Sequence, residues 1–253
     1  MNMNPQPPVT LQLGHLPIET GGTPPPRPGH FEIGMSGWSG WSDSAPDESE
    51  VREHYIGDGQ IRGLRRTGAR RIIIDADIQA STEYGPGSVS DAVHQLGRLY
   101  RSTLTVTERD WRTTELDVIV EHRSTLISPL YATLTLTLTA ADPLRHGSGV
   151  TRLYAGETWI PNRGDRQAWP ILEAGGPVTF TVDHPGGHFR VSLPAGMHTI
   201  DTREGKIWTP SGTELAGTQA SGPWPYVRPG GSLWDVGGFV TGYANMRRWE
   251  AWS

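Results

Sequence analysis

Between Leu130 and Ala140 two kinds of side chain alternate without a break. Leu130, Ala132, Leu134, Leu136, Leu138 and Ala140 fall on one parity, and Thr133, Thr135, Thr137 and Thr139 on the other. Successive residues of a strand point to opposite faces, so this is a half-buried β-strand with leucine in a core and hydroxyls outside. Asp142-Pro143 ends it: proline has no N–H for a ladder and pushes the residue before it toward extended or turn geometry, and Gly147 and Gly149 follow. The segment reads as the last strand of one domain and a hinge into another.

A chain of 253 residues has room for two modest β domains or a single large one. Its 32 glycines and 21 prolines fall short of the proportion expected of a disordered chain and point instead to many tight turns. A net charge of -5 gives no global field toward nucleic acid or anionic lipid, so nucleic-acid sequence recognition and membrane binding are not expected. Cysteine is absent, which removes disulfides, thiolate chemistry and cysteine-ligated zinc and fits synthesis in a reducing compartment. Met1–Pro8 has neither a basic nor an apolar leader region, and no apolar run reaches about 18 residues, so a soluble protein without a secretory signal is expected.

Residues 1–30, with Pro24-Pro25-Pro26, read as a loose arm holding a short strand at Val9–Leu13. Trp38 and Trp41, in the doubled Gly-Trp-Ser unit, are read as loop anchors, Asp43–Glu53 as an exposed acidic stretch and Asp58-Gly59 as a turn. Arg70–Ala80 is a strand with Ile72, Ile74, Ala76, Ile78 and Ala80 inward. Asp75, Asp77 and Gln79 lie on the other face with Ile73, and Arg65, Arg66, Arg70 and Arg71 are candidate partners for the carboxylates. Ser88–Tyr100 is a helix with a cap at Ser88-Val89-Ser90-Asp91 and a stripe of Val89, Val93, Leu96 and Tyr100. Thr103–Thr107 and Leu116–His122 complete the strands of this half.

Beyond the hinge, turn signals recur every 8–12 residues or so, at Asn162-Arg163-Gly164, Gly175-Gly176-Pro177, Pro185-Gly186-Gly187, Pro194-Ala195-Gly196, Pro210-Ser211-Gly212 and Pro229-Gly230-Gly231. Such punctuation predicts a β-sandwich or jelly roll. Val178, Phe180 and Val182 face Phe189, Val191 and Leu193 across a hairpin turn, and seven tryptophans predict a core that is partly indole. Motifs for catalysis are missing, with no zincin helix, Walker loop, nucleophile elbow or dinucleotide fingerprint. His184 and His188 are four apart, but the intervening Pro185-Gly186-Gly187 prevents the helix that would make them a metal pair.

The succession of these motifs resembles the distal tail proteins and related minor tail proteins of long-tailed, siphovirus-type bacteriophages. The carriers in the first half are Gly37-Trp38, Asp58-Gly59, the Arg70–Ala80 strand, the Ser88–Tyr100 helix and the leucine–threonine strand ending at Ala141-Asp142-Pro143. In the second half they are Asn162-Arg163-Gly164, Ala168-Trp169-Pro170, Ile200-Asp201-Thr202, Gly222-Pro223-Trp224-Pro225 and Pro229-Gly230-Gly231. The resemblance implies a mainly β chain with a β-sandwich-like, ring-forming domain over residues 1–142 carrying one α-helix. A galectin-like jelly-roll sandwich would follow over residues 151–253. It implies a hexameric ring at the tail tip of the virion, made in the host cytoplasm, that joins the tail tube protein to the tip hub or baseplate, with the tape measure protein as a further partner. No catalytic residue, cofactor or metal is implied.

A threonine face at a sheet edge would invite aggregation, and in a closed ring each subunit covers such a face on the next. The ring contacts are therefore expected at Thr133, Thr135 and Thr137, with Arg70, Arg71, Asp75 and Asp77 of the Arg70–Ala80 strand. The alternative function is a carbohydrate-binding adhesin whose Trp224 or Trp234 stacks on a host-surface glycan. A wall-degrading glycosidase is a third class, but no pair of carboxylates is marked out for it.

Overall fold

The computed structural model describes residues 10–41, 47–53, 60–108, 110, 112–215, 220–238 and 244–252, with backbone alone for 47–53 and 60–67. The expected Asp58-Gly59 turn and the first nine residues of the expected arm lie outside the described residues. The chain divides into two compact units, Met1–Pro143 and Leu144–Ser253, each with its own apolar core.

The first unit contains β1 (Thr10–Leu13), β2 (Leu16–Ile18), β3 (Phe31–Ser39), β4 (Asp47–Glu53), β5 (Gln60–Thr67), β6 (Arg70–Ala80), α1 (Val89–Gly97), β7 (Arg101–Thr107), β8 (Thr113–Ser128) and β9 (Tyr131–Ala140). Seven strands form one antiparallel sheet in the order β2-β1-β7-β8-β9-β6-β3, while β4 and β5 pair only with each other. Just past β2, the Glu19 N–H donates to the Ile33 carbonyl at 2.8 Å and its own carbonyl accepts from Met35 N–H at 2.7 Å. The two ends of the sheet therefore meet, and the expected β-sandwich-like domain is built from one sheet curled on itself, which leaves little free edge.

Register in this sheet follows from burial. Leu134, Leu136 and Leu138 on β9 pair with Ala76, Ile74 and Ile72 on β6, and all six are at most 2% exposed. Each buried leucine or isoleucine is worth roughly 1.5–3 kcal/mol. A one-residue slip would turn all of them outward at once. Helix α1 begins at Ser88, whose hydroxyl accepts from Asp91 N–H at 3.1 Å, as the capping sequence requires. The helix is shorter than expected and presents Val89, Ala92 and Leu96 to the core, with Val93 at the margin and Tyr100 exposed. Leu11, Leu13, Leu16 and Ile18 are buried, so residues 10–18, read as part of an arm, are a hairpin of the closed sheet. The first of these strands matches the one expected at Val9–Leu13, whereas the three residues of β2 give too few alternations to be seen in sequence.

The second unit contains β10 (Arg145–Gly147), β11 (Val150–Leu153), β12 (Gly156–Ile160), β13 (Ile171–His184), β14 (Gly187–Asp201), β15 (Lys206–Trp208), β16 (Ala220–Ser221), β17 (Ser232–Gly237), β18 (Ala244–Arg247) and β19 (Ala251–Trp252). The long β13–β14 hairpin organises it. The first half of β13 pairs with β18, which continues to β11, and the second half pairs with β17, which continues to β12. On the other side β14 pairs with β16 and β15. The hairpin is thus common to both layers of a β-sandwich, and residues from both halves, such as Leu172, Ile200, Phe180 and Val191, share one core.

Gly175-Gly176-Pro177 and Pro194-Ala195-Gly196, expected as chain-reversing turns, are the corner where this hairpin passes between layers. A register shift there moves the inward positions of β14 from Phe189, Val191 and Leu193 to His198 and Ile200. A Cβ on Gly176 would lie 1.8 Å from the Pro194 carbonyl oxygen, so the corner admits only glycine. The core is partly indole, as expected, but less so than seven tryptophans suggest: Trp234 lies in it, Trp224 and Trp249 pack against it, and the other aromatics at its centre are Phe180 and Phe189. Residues 144–149, read as hinge, carry β10, which pairs with β19.

The Pro185-Gly186 turn of the hairpin is held by His184. Its Nδ1 accepts from Gly186 N–H at 3.1 Å, which leaves Nε2–H to donate to the Pro223 carbonyl at 3.1 Å. Burial lowers the pKa of this imidazole, against weaker opposition from the Pro223 carbonyl and Asp183. The unfolded chain therefore takes up this proton at a higher pH than the folded one, and stability falls as pH drops below about 6.5. Thermal melts across that range should show the second unit destabilised on acidification, and the pH dependence should shrink in His184→Gln. An unchanged dependence in the variant would contradict this role.

Candidate functional site

The outer face of the β6–β9–β8 ladder holds most of the residues expected at a subunit contact. Because β9 is paired along both sides, Thr133, Thr135 and Thr137 lie in mid-sheet with β6 and β8 flanking them. Thr133 stands between Asp77 and Thr125, Thr135 between Asp75 and Arg123, and Thr137 between Ile73 and Glu121. The edge hazard expected from this strand is therefore absent, and neighbouring strands supply the charge that the threonine row lacks.

Local bonds order the face. Thr135 Oγ1 donates to Asp75 Oδ1 at 3.0 Å. At the Tyr131 end, the phenol donates to Asp77, and loss of that hydrogen bond on ionisation raises its pKa. At the Thr139 end the face runs into an open hollow of about 440 Å³ lined by Arg101, Thr103, Asp117, Ile119, Thr139 and Ala141. Thr103 Oγ1 donates to Asp117 Oδ1 there, at 3.0 Å. The result is a surface of hydroxyls with the carboxylates of Asp75 and Asp77 and the cation of Arg123 beside it, which suits packing against another polar surface. Among the described residues no three His, Cys, Asp or Glu side chains converge where a metal could sit.

Two expected site residues lie elsewhere. Arg70 is 2% exposed and faces the core side of β6. Its Nε donates to the Pro143 carbonyl at 2.9 Å, and its Nη1 reaches the carbonyls of Trp41 and Gly40. It ties the ends of β3 and β9 together and pairs with neither Asp75 nor Asp77, whereas Arg71, one residue on, is exposed. Trp234 has no exposed surface and packs beside His184, with ring centroids 6.3 Å apart, so it cannot meet a ligand. Trp224 is half-buried against Phe189, ring centroids 5.0 Å apart, and anchors its loop on the core. Trp38 and Trp41 stack at 5.7 Å, and Trp41 Nε1–H donates to Glu108 at 2.8 Å.

Sequence reasoning missed Arg123 because the polar run from His122 to Thr125 hid the continuation of β8 to Ser128, and it passed over Glu121 and Tyr131 although both lie in strands it had placed. It also missed Trp159, which is 59% exposed on β12 opposite the half-exposed Leu233 of β17. The outward parity of Trp159, between Thr158 and the buried Ile160, was the available signal.

A closed antiparallel sheet with one helix, followed by a β-sandwich built on a long bent hairpin, is a fold shared with proteins of bacteriophage tail tips. No protein-family model matches the chain, and no curated protein is similar to it in sequence. Among solved structures it is similar to the SPP1 Dit protein, a paradigm of the hub adsorption apparatus in phages that infect Gram-positive bacteria. The TM-score is 0.52 at 14% identity, over 94% of this chain and 96% of that one. It is also similar to a chain of the phage P2 baseplate in its activated conformation with Ca, with a TM-score of 0.50 at 8% identity, over 85% of this chain and 89% of that one.

Arg70→Ala would strip three carbonyls of their buried donor and should cost roughly 2–4 kcal/mol in urea unfolding, while Arg71→Ala should stay within about 0.5 kcal/mol. Equal small effects from both would show that Arg70 does not lock the strands.

Proposed function

We propose that this chain is a non-enzymatic structural protein of a bacteriophage tail tip: a distal tail protein whose first unit assembles into a ring, six-membered by the family resemblance. The ring joins the tail tube to the tip hub or baseplate, and the second unit serves as a docking module. Its partners are further copies of the chain, the tube and hub proteins and the tape measure protein, and its location is the virion tail. The observation that carries the reading is the likeness to SPP1 Dit, which spans both units in order and nearly the full length of each chain. The ordered hydroxyl face of β9, with Asp75, Asp77 and Arg71 beside it, supports a contact role for this surface.

Thr133 lies opposite Asp77 and Thr137 opposite Glu121, so lysines at both positions would find carboxylates within the isolated subunit. In a contact, the same lysines would add bulk and buried charge. Thr133→Lys/Thr137→Lys should therefore keep the wild-type circular dichroism spectrum but lose the assembled species in multi-angle light scattering. A variant of unchanged oligomeric mass would remove this face from the contact.

A carbohydrate-binding role for the second unit is the alternative, and Trp159 favours it: an exposed indole beside Leu233, with Glu157 and Asp235 on the next cross-strand pair. With Trp234 buried, a saccharide would stack on Trp159. A docking module predicts no signal above background on a glycan array. Binding that disappears in Trp159→Ala at an unchanged melting temperature would favour the adhesin.

A further inference from the structure

The hairpin β8–β9 is longer than the helix that covers it. Up to Val120, the core-facing residues of β8 are buried beneath the rest of the unit, but from Glu121 onward none is buried. Ser124 and Leu126 continue the same parity as Val118 and Val120 without a lid, and Leu126 is 64% exposed. What remains is an open groove of about 380 Å³ between the start of α1 and the hairpin tip, lined by Val89, Val93, Leu126, Pro129, Ala132 and Tyr84. Tyr84 is 80% exposed. Glu83, Tyr84 and Ser90 also line an adjoining polar hollow of about 390 Å³ with Ser88, Asp91 and His94. One end of the helix thus presents an apolar slot with carboxylates beside it.

The other end presents the complement. After the C-cap at Arg98, the chain exposes Arg98, Tyr100 and Arg101, with Tyr100 59% exposed although the helical stripe would have placed it inward. Among the described residues no carboxylate pairs with Arg98 or Arg101 and no cation with Glu83. Nine residues of helix hold the two ends about 13 Å apart. The helix dipole alone favours acid at its start and base at its end, but it gives no reason to expose two tyrosines and a leucine. An exposed apolar slot beside acid, and an exposed aromatic between two arginines, form two different surfaces on one chain. That is the requirement for a heterologous, head-to-tail contact, which closes into a ring when its rotation permits.

Resting on the ring reading above, we infer that the two ends of α1 are the two halves of a subunit contact: Tyr100 of one copy enters the Tyr84–Leu126 groove of the next, and Arg101 meets Glu83. The occupant of the groove is a second copy of this chain. The groove lies near the Tyr131 end of β9, on the leucine side of the sheet, with Ala132 in its lining.

The chain has no cysteine, which makes the test direct. Purified full-length Tyr84→Cys/Tyr100→Cys treated with a short bis-maleimide should give a ladder of covalent oligomers ending at the mass of the ring. Each single-cysteine variant should stay uncrosslinked, because in a head-to-tail contact neither residue meets its own copy. Arg101→Glu should raise the concentration needed for assembly by about tenfold or more. Glu83→Arg/Arg101→Glu, with the pair reversed, should recover assembly. If the wild type is oligomeric yet the double-cysteine variant gives no ladder and Arg101→Glu assembles normally, the contact is wrong, the ring stands, and the groove belongs to another tail component. Crosslinking of the single variants would make the contact symmetric and equally overturn it. A wild type that stays monomeric at every concentration would bring down the ring reading and this contact together.

Discussion

The pairing of β9 with β6 on one side and β8 on the other is the constraint on which the first unit rests. Ten residues of β9 are in register with β6 from Arg70↔Ala140 to Gln79↔Tyr131. That register sends every leucine of β9 inward and every threonine outward. The core and the candidate contact surface are therefore two faces of one pairing, and neither can shift without the other. Arg70 fastens the end of the ladder by donating to carbonyls of the segment after β3 and the segment after β9. A buried guanidinium whose Nε and Nη1 are spent on backbone carbonyls is a structural device.

The second unit solves a different problem with the same kind of pairing. Its hairpin is 14 and 15 residues long, too long for a single flat layer, and a bulge with a glycine at the point of closest approach lets it turn a corner. The extra residue in β14 switches the inward parity, so one hairpin can serve one core in both layers. Around that core the remaining tryptophans lie at the rim or outside.

What sequence reveals here follows from how each feature is encoded. Period-two alternation is local, so β6, β9 and the inward residues Phe180, Val182, Phe189, Val191 and Leu193 on the turn side of the β13–β14 corner are legible residue by residue, as is the Ser88 cap. Closure of the sheet through Glu19 is not local and leaves no mark in the sequence. Gly176 and Pro194 read as turns because a glycine or proline that bends a strand looks the same as one that reverses it; only the pairing partner distinguishes them. Arg70 and Trp234 were assigned outward roles from residue type, although Arg70 shares the parity of Ile72 and Ile74, and that parity was the better guide. Exposed Trp159 was missed for the converse reason: an indole in a β-domain is expected in the core.

The functional account joins a fold to a surface: two units in an order shared with SPP1 Dit, and a first unit that presents a polar sheet face and two unlike helix ends. Different surfaces on one chain assemble head to tail, and such assembly either closes or grows without limit. Negative-stain electron microscopy of the purified chain at micromolar concentration tests this most directly. Closed rings of one size are expected; isolated particles of single-subunit size, or open filaments, would contradict the head-to-tail assembly.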